Sequence, residues 1–226
     1  MNRRHKKEME ERKTNDISEM RRSQLVKAAY RVVSRKGYYN FTIKDIAKES
    51  GLSSGLVHYY FKDKQDLLLN LLKEININIK SYLNNELVKT QNPLNKLIAY
   101  IDQAFSLAEK EEEYFYVLID FWTQAKHNPR MRQANSRLLK SYRDECAAIL
   151  EEGISIGMFR EMDVAFTSTA IVSAIQGTIV QYILDNDAFN YETYTTKIKE
   201  YITSLIMKEK NSEKEGVWSS VSMKNK

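Results

Sequence analysis

Apolar residues recur at three- and four-residue steps along most of this chain, and no stretch keeps the two-residue alternation of a strand. From about Ser18, Leu25, Ala28, Ala29, Val32 and Val33 form one stripe, and Gly37 supplies a stop. Ile43, Ile46 and Ala47 make the buried face of a short second helix that opens at Thr42 and breaks at Gly51. Asp45 follows Thr42 by three residues, the spacing at which two side chains cap a helix start reciprocally. Ser53 opens a third short helix whose inward side is Leu56, Val57, Tyr60 and Phe61. Asp63, with Asp66, opens a long fourth helix carrying Leu67, Leu68, Leu71, Leu72, Ile75, Ile79, Tyr82 and Leu83 at helical spacing.

Asn92-Pro93 and Asn128-Pro129 each place a capping side chain before a proline at the first helical position, where its missing N–H costs nothing. They predict helices over about 93–109, 112–126 and 129–152, with Gly153 and Gly157 in a loop. Helices over about 163–184 and 191–208 complete an all-α fold of about nine helices. The first 17 residues are charged without an apolar face and are expected to form a flexible basic arm; residues 210–226 are expected to be a disordered tail.

Composition agrees: seven glycines and two prolines disfavour a turn-rich β architecture. The net charge of +5 is uneven, with 16 Lys and Arg against 8 Asp and Glu in residues 1–64, and 19 against 22 in the rest. A basic front on a mildly acidic body points to a polyanion as partner of the front alone. The single cysteine, Cys146, excludes an intrachain disulfide and fits a reducing compartment. No apolar run reaches membrane-spanning length and no secretory h-region follows the N-terminal charges, so cytoplasmic placement is expected.

The two short helices around Gly51 have the build of a helix-turn-helix. The pattern Thr42-Ile43-x-x-Ile46-Ala47, Gly51-Leu52-Ser53-x-Gly55-x-Val57-x-x-Tyr60-Phe61-x-Asp63-Lys64-x-x-Leu67-Leu68 resembles the N-terminal domain of the TetR family of bacterial transcriptional regulators. Less closely, Phe121-Trp122, the Asn128-Pro129 helix start, Gly153-x-x-x-Gly157-x-Phe159 and Ala174-Ile175-Gln176-Gly177 are similar to the ligand-binding half of its betaine-regulon repressor group. The resemblance implies a helix-turn-helix DNA-binding domain over 18–67, a larger ligand-binding and dimerisation domain over 68–209, a homodimer, a double-stranded DNA operator and a small-molecule inducer. Carried over position by position, Thr42, Lys44, Ser53, Ser54, Gly55, His58, Tyr59 and Lys64 would contact DNA, with Thr42 and Lys64 beside phosphates at helix N-termini. His58 departs from the tyrosine common at its position. Arg21 and Arg22 are candidates for backbone contact, and the arm residues Arg3, Arg4, Lys6, Lys7, Arg12 and Lys13 would either track phosphates or only solubilise.

In the second half, Tyr114 to Trp122 is apolar nearly all round, with Asp120 as its one ionisable group. Asp120 either faces a cationic ligand beside the rings of Phe121 and Trp122, or is exposed, or pairs with a cation such as Lys126. Phe105 and Tyr142 are further ligand-pocket candidates. A dimer face is expected from Ile171, Ala174, Ile175, Thr178, Ile179, Tyr182 and Ile183, joined by Tyr194, Ile198, Tyr201, Ile202, Leu205 and Ile206.

Nothing in the sequence asks for catalysis or a cofactor. His5, His58 and His127 are scattered outside any metal-spaced cluster, no phosphate loop or nucleophile elbow occurs, and Cys146 has the setting of a small core residue. Two non-enzymatic readings stay open. One is a ligand-released repressor, nucleoid-associated when bound; the other is a DNA-binding protein of the same fold that answers to a protein partner or organises the chromosome without an inducer. A closed apolar cavity near Trp122 separates the first from the second, which needs only a filled core.

Overall fold

In the computed structural model, residues 3–87, 90–110 and 112–208 are described. They form α1 (Arg3–Asn40), α2 (Ile43–Ser50), α3 (Ser54–Tyr60), α4 (Lys64–Leu87), α5 (Pro93–Lys110), α6 (Glu112–Gln124), α7 (Pro129–Ser155), α8 (Val164–Leu184) and α9 (Tyr191–Ile206). Among the described residues no strand occurs; one isolated antiparallel bridge joins Phe159 to Met207.

Local chemistry explains the helix starts. Thr42 and Asp45 form the reciprocal capping box at α2, the Thr42 hydroxyl accepting from the Asp45 N–H and the Asp45 carboxylate accepting from the Thr42 N–H at 2.8 Å. Lys36 at 2.7 Å and then the Thr42 N–H hold the Asp45 carboxyl down at about 2. Ser53 caps α3, the Asp63 carboxylate accepts from the Asp66 N–H at 2.7 Å, and Asn128 and Asn190 cap α7 and α9. Gly51 ends α2 in the left-handed region at φ 69°.

Two expectations change. α1 reaches back to Arg3, so the segment expected as a flexible arm has a helical backbone, in keeping with the helix propensity of Arg, Lys, Glu and Met. Its charged side chains before residue 15 lie outside the described residues, as do those of Ile79, Tyr82 and Leu83 and the whole tail from 209. Second, α8 is long and apolar enough by length and composition to cross a membrane, contrary to the expectation from the sequence. Ile171, Val172, Ile175, Ile179 and Ile183 on it are buried among α5, α7 and α9, as in a core helix.

Two cores meet at α6. One gathers Leu25, Val32, Ile46, Val57, Phe61 and Leu67 of α1–α4 together with Val117, Leu118 and Phe121 of α6. The other gathers Leu97, Ile101, Leu150, Phe159, Ile175 and Ile202 from α5 and α7–α9. Phe115 and Tyr142 pack against both. α1, on which α2 of the helix-turn-helix packs, is itself packed directly on α6.

Gly153, expected in a loop, instead lies buried inside α7, which runs on to Ser155, and it shows how tight the second core is. A Cβ there would lie 2.0 Å from Cδ2 of Phe159, whose ring is itself 2% exposed. Gly153→Ala is expected to cost about 1–3 kcal/mol through overpacking. Urea unfolding measures this, and an unchanged midpoint would show that the ring has room to retreat.

Candidate functional site

Thr42, Lys44, Ser53, Gly55, His58 and Tyr59 are exposed, Tyr59 by 78%, and Ser54 is partly so. Val57 and Phe61 point the other way into the core at 0% and 1%, and Tyr60 is packed against it, as their spacing predicts. The α2–α3 unit thus presents a polar, hydrogen-bonding face while its apolar side anchors it on α1 and α4. The candidate cation Lys64 is placed differently. Its ammonium donates to the carbonyls of Tyr39 at 3.3 Å and Phe41 at 3.0 Å and lies 3.9 Å from the centre of the Phe41 ring. Burial lowers its pKa. Arg22 stays exposed but lies over the Phe61 ring and donates to Asn70, and Arg21 donates to Gln24.

Asp120 fits none of the roles expected for it. At Gly37 α1 is kinked, with φ 74°, and the next backbone N–H, that of Tyr38, donates to the Asp120 carboxylate at 2.9 Å. A Cβ on Gly37 would stand 3.5 Å from that same oxygen. One turn along α6, the buried Gln124 amide donates to the Tyr39 hydroxyl at 2.7 Å, and Tyr38 meets the Phe121 ring edge-on at 6.0 Å. Asn135 of α7 in turn donates to the Phe121 carbonyl at 2.9 Å. Asp120 is a latch between α6 and the turn that feeds α2. Lys64, holding Tyr39 and Phe41 from the start of α4, continues the same chain of contacts.

Behind the latch, on the opposite side of α6, lies a cavity of about 70 Å³ between α5, α6, α7 and α8. That volume is several times the ~10–15 Å³ needed to seat one water. Tyr100, Tyr114, Phe115, Leu118, Trp122, Tyr142, Ile175 and Ile179 are among its walls. Burial pushes the Tyr100 and Tyr114 phenols up and the Tyr142 phenol up to about 12. The wall is therefore uncharged at neutral pH.

Of the expected pocket residues, Trp122 and Tyr142 line the cavity and Phe105, Asp120 and Phe121 do not. Phe105 is core, edge-on to Tyr191 at 5.9 Å, and Phe121 is fully buried toward α1. Tyr100 and Tyr114, from two different helices, were not anticipated; only their convergence on Tyr142 at 3.0 and 3.4 Å reveals them. Ile175 and Ile179, expected at a dimer face, also line the cavity instead. Cys146 is fully buried, and desolvation pushes its thiol up to about 12, the state of an inert core residue.

Comparison with known proteins joins the two halves. Residues 25–71 match the bacterial regulatory proteins of the tetR family, and residues 93–207 match the C-terminal domain of BetI-type transcriptional repressors. The chain belongs to the tetR family of bacterial regulatory proteins. It is 26% identical over 184 residues to the fatty acid metabolism regulator protein of Bacillus subtilis, covering 81% of this chain and 94% of that one. The crystal structure of FadR from Bacillus subtilis in complex with stearoyl-CoA superposes with a TM-score of 0.71 at 25% identity, over 81% of this chain and 98% of that one. A regulator from Saccharomonospora viridis in complex with choline gives 0.76 at 23%, over 83% and 98%, a likeness of fold. This tetR-family chain is a DNA-binding transcriptional regulator.

In such a regulator the Asp120 latch is a testable joint. Asp120→Leu strands the Tyr38 N–H and is expected to lower unfolding free energy by about 1–3 kcal/mol. Asp120→Asn, which keeps an acceptor oxygen, is expected to lose less. Urea melts of both variants check this, and equal losses would mean that charge rather than the hydrogen bond matters.

Proposed function

We propose that this regulator is a repressor that holds a pseudo-palindromic operator as a homodimer and releases it when a small molecule fills the cavity beside Trp122. The observation that carries the reading is that one helix, α6, serves both ends. Leu118 and Trp122 face the cavity, while Asp120 and Gln124 hold the turn that feeds the helix-turn-helix. A ligand that pushes α6 outward must move Tyr38 and Tyr39, and with them Phe41, Lys64 and the start of α2. A protein of this fold answering only to a partner protein, or organising the chromosome without an inducer, would have no use for an apolar cavity at that point. The named relatives are regulators of transcription, in keeping with a binding rather than a catalytic role.

α3 would enter the major groove, with Ser54, Gly55, His58 and Tyr59 toward the bases and Lys44 and Ser53 flanking them. Thr42 would sit beside a phosphate at the α2 N-terminus. Lys64 would act mainly by holding the α2 entry in place and adding positive potential near the backbone, since two of its three donors are engaged.

The dimer face would lie one stripe round α8 from most of the residues expected for it, keeping Ala174. Ile171, Ile175, Ile179 and Ile183 are buried within the chain, whereas Phe166, Ala170, Ala174, Gln181 and Leu184 form an exposed row with Gly177 among them. On α9 Ile202 and Ile206 are likewise buried, and Tyr194, Tyr201 and Leu205 are exposed at 45%, 64% and 43%. Small residues in the middle of the α8 row allow two copies to approach closely, and the flanking rings supply apolar area for a four-helix interface.

Lys44→Ala is expected to weaken operator binding and to reduce the slope of log affinity against log salt by about 1. Fluorescence anisotropy on a genomically selected site measures both, and an unchanged slope would remove Lys44 from the contact. Ala174→Glu is expected to convert a dimer into a monomer in light scattering at micromolar concentration. A wild-type chain that is already monomeric there would contradict the interface.

A further inference from the structure

The cavity holds polar groups that the protein itself leaves open. Gln103 is 6% exposed, and neither its amide nitrogen nor its amide oxygen has a hydrogen-bond partner; the indole N–H of Trp122 is buried and unpartnered as well. Both side chains line the cavity. The tyrosines beside them are engaged with one another: the Tyr100 hydroxyl donates to the Tyr142 carbonyl at 3.0 Å, and the Tyr114 and Tyr142 hydroxyls meet at 3.4 Å. An amide buried without partners costs more than an apolar residue of the same shape, so its presence against an apolar cavity points to an occupant that supplies the missing bonds.

The setting selects against charge and against bulk. Among the described residues that line the cavity there is no Asp, Glu, Lys, Arg or His. An ion moved there from water would lose its hydration with nothing of opposite sign to replace it. Charges lie close by but outside. Leu107 and Tyr114 also line a wider cleft of about 560 Å³, and Lys27, Arg31, Glu74 and Lys110 belong to the walls of that cleft alone. Asp120, the carboxylate of the same α6 turn as Trp122, faces α1. At about 70 Å³ the cavity is roughly half the ~150 Å³ that admits benzene in an apolar interior. A ring-sized occupant therefore enters only as a wall gives way, and Leu118 and Trp122 place α6 in that wall.

We infer that the ligand is a small neutral carboxamide, a lactam or primary amide on a compact apolar body, selected by Gln103 and Trp122. The inference rests on the reading of the chain as a ligand-released repressor and names the chemistry its site selects. Such a carboxamide carries a donor and an acceptor on one edge, the complement of the edge that Gln103 presents. Its N–H donates to the Gln103 oxygen, and its carbonyl accepts from the Gln103 amide nitrogen. The second lone pair of that carbonyl accepts from the Trp122 indole, so one group answers all three open atoms. An ester, ketone or thioester brings acceptors alone and leaves the Gln103 oxygen unmet. A carboxylic acid has the right edge only when protonated, and it is ionised at neutral pH. A cation finds no carboxylate in the wall. The amide pair thus sets which molecule enters, and the tight fit against Leu118 and Trp122 converts its entry into displacement of α6.

The test uses four six-membered rings of nearly equal size on the full chain: δ-valerolactam, N-methyl-δ-valerolactam, cyclohexanone and protonated piperidine. Binding is read from the indole N–H resonance of Trp122, assigned by its loss in Trp122→Phe, and function from release of labelled operator. δ-Valerolactam is expected to move that resonance and to act at a concentration about tenfold or more below the N-methyl lactam and the ketone, with piperidine inactive. Gln103→Leu is expected to abolish the preference for the lactam over the ketone and to raise the melting temperature of the ligand-free protein, which also verifies that the variant is folded. Equal potency of the three neutral rings, a lactam preference that survives Gln103→Leu, action by piperidine, or a Trp122 resonance unmoved by saturating lactam would overturn the assignment. A lactam that binds with the expected selectivity while the operator stays bound supports the ligand class and strikes the repressor reading instead.

Discussion

The N–H of Tyr38 has to be hydrogen-bonded to something. Gly37 leaves the helical region at φ 74° and kinks α1, and this amide is partly buried where the kink turns the chain toward α2. An amide in that position without an acceptor would cost about 1–3 kcal/mol. Asp120 supplies the acceptor from the far half of the molecule, and the positive φ at Gly37 favours a glycine there. The direction in which the helix-turn-helix leaves α1 is thereby tied to the position of α6.

That tie makes one packed body out of two functions. α6 contributes Val117, Leu118 and Phe121 to the core of the DNA-reading half, and its Leu118 and Trp122 also line the cavity. Packed interiors do not deform continuously, so a displacement of α6 has to be taken up by its neighbours as a shift of whole elements. The neighbours within reach are the turn at 37–41 and, through Lys64, the start of α4. Control over DNA then follows from differential packing, since a ligand shifts the equilibrium only as far as its affinity for the two arrangements differs.

The parts of this design that were legible in the sequence are those set by local chemistry. Thr42 with Asp45, Ser53, Asp63 with Asp66 and the two Asn-Pro pairs mark helix starts because capping depends on residues three positions apart, and the period of the apolar residues shows which way Val57 and Phe61 face. The cavity was only partly legible. Trp122 and Tyr142 stand out by type, yet Tyr100, Gln103 and Tyr114 acquire meaning only when α5, α6 and α7 converge. Asp120 was visible as a lone carboxylate on an apolar helix, but its partner is a backbone amide 82 positions away, which no side-chain pattern announces. On α8 the periodicity gives an apolar helix without saying which stripe faces inward. The β-branched row went to the chain's own core and left the row containing Phe166, Ala174 and Leu184 outside.

The same logic separates polar groups that serve the fold from those held for something else. Gln124 and Asn135 are as buried as Gln103, and both donate to groups across a helix junction. Gln103 sits between α5 and an apolar cavity with its amide nitrogen and oxygen both unpartnered. Stability alone would favour a leucine there, because an apolar residue of similar size would remove an unmet hydrogen-bonding demand and fill space. A folded chain that keeps an unsatisfied amide beside charge-free walls carries a cost in its ligand-free state that an occupant can relieve. That relief is available only when the cavity is filled, and it thereby contributes to the difference in stability between the two arrangements of α6.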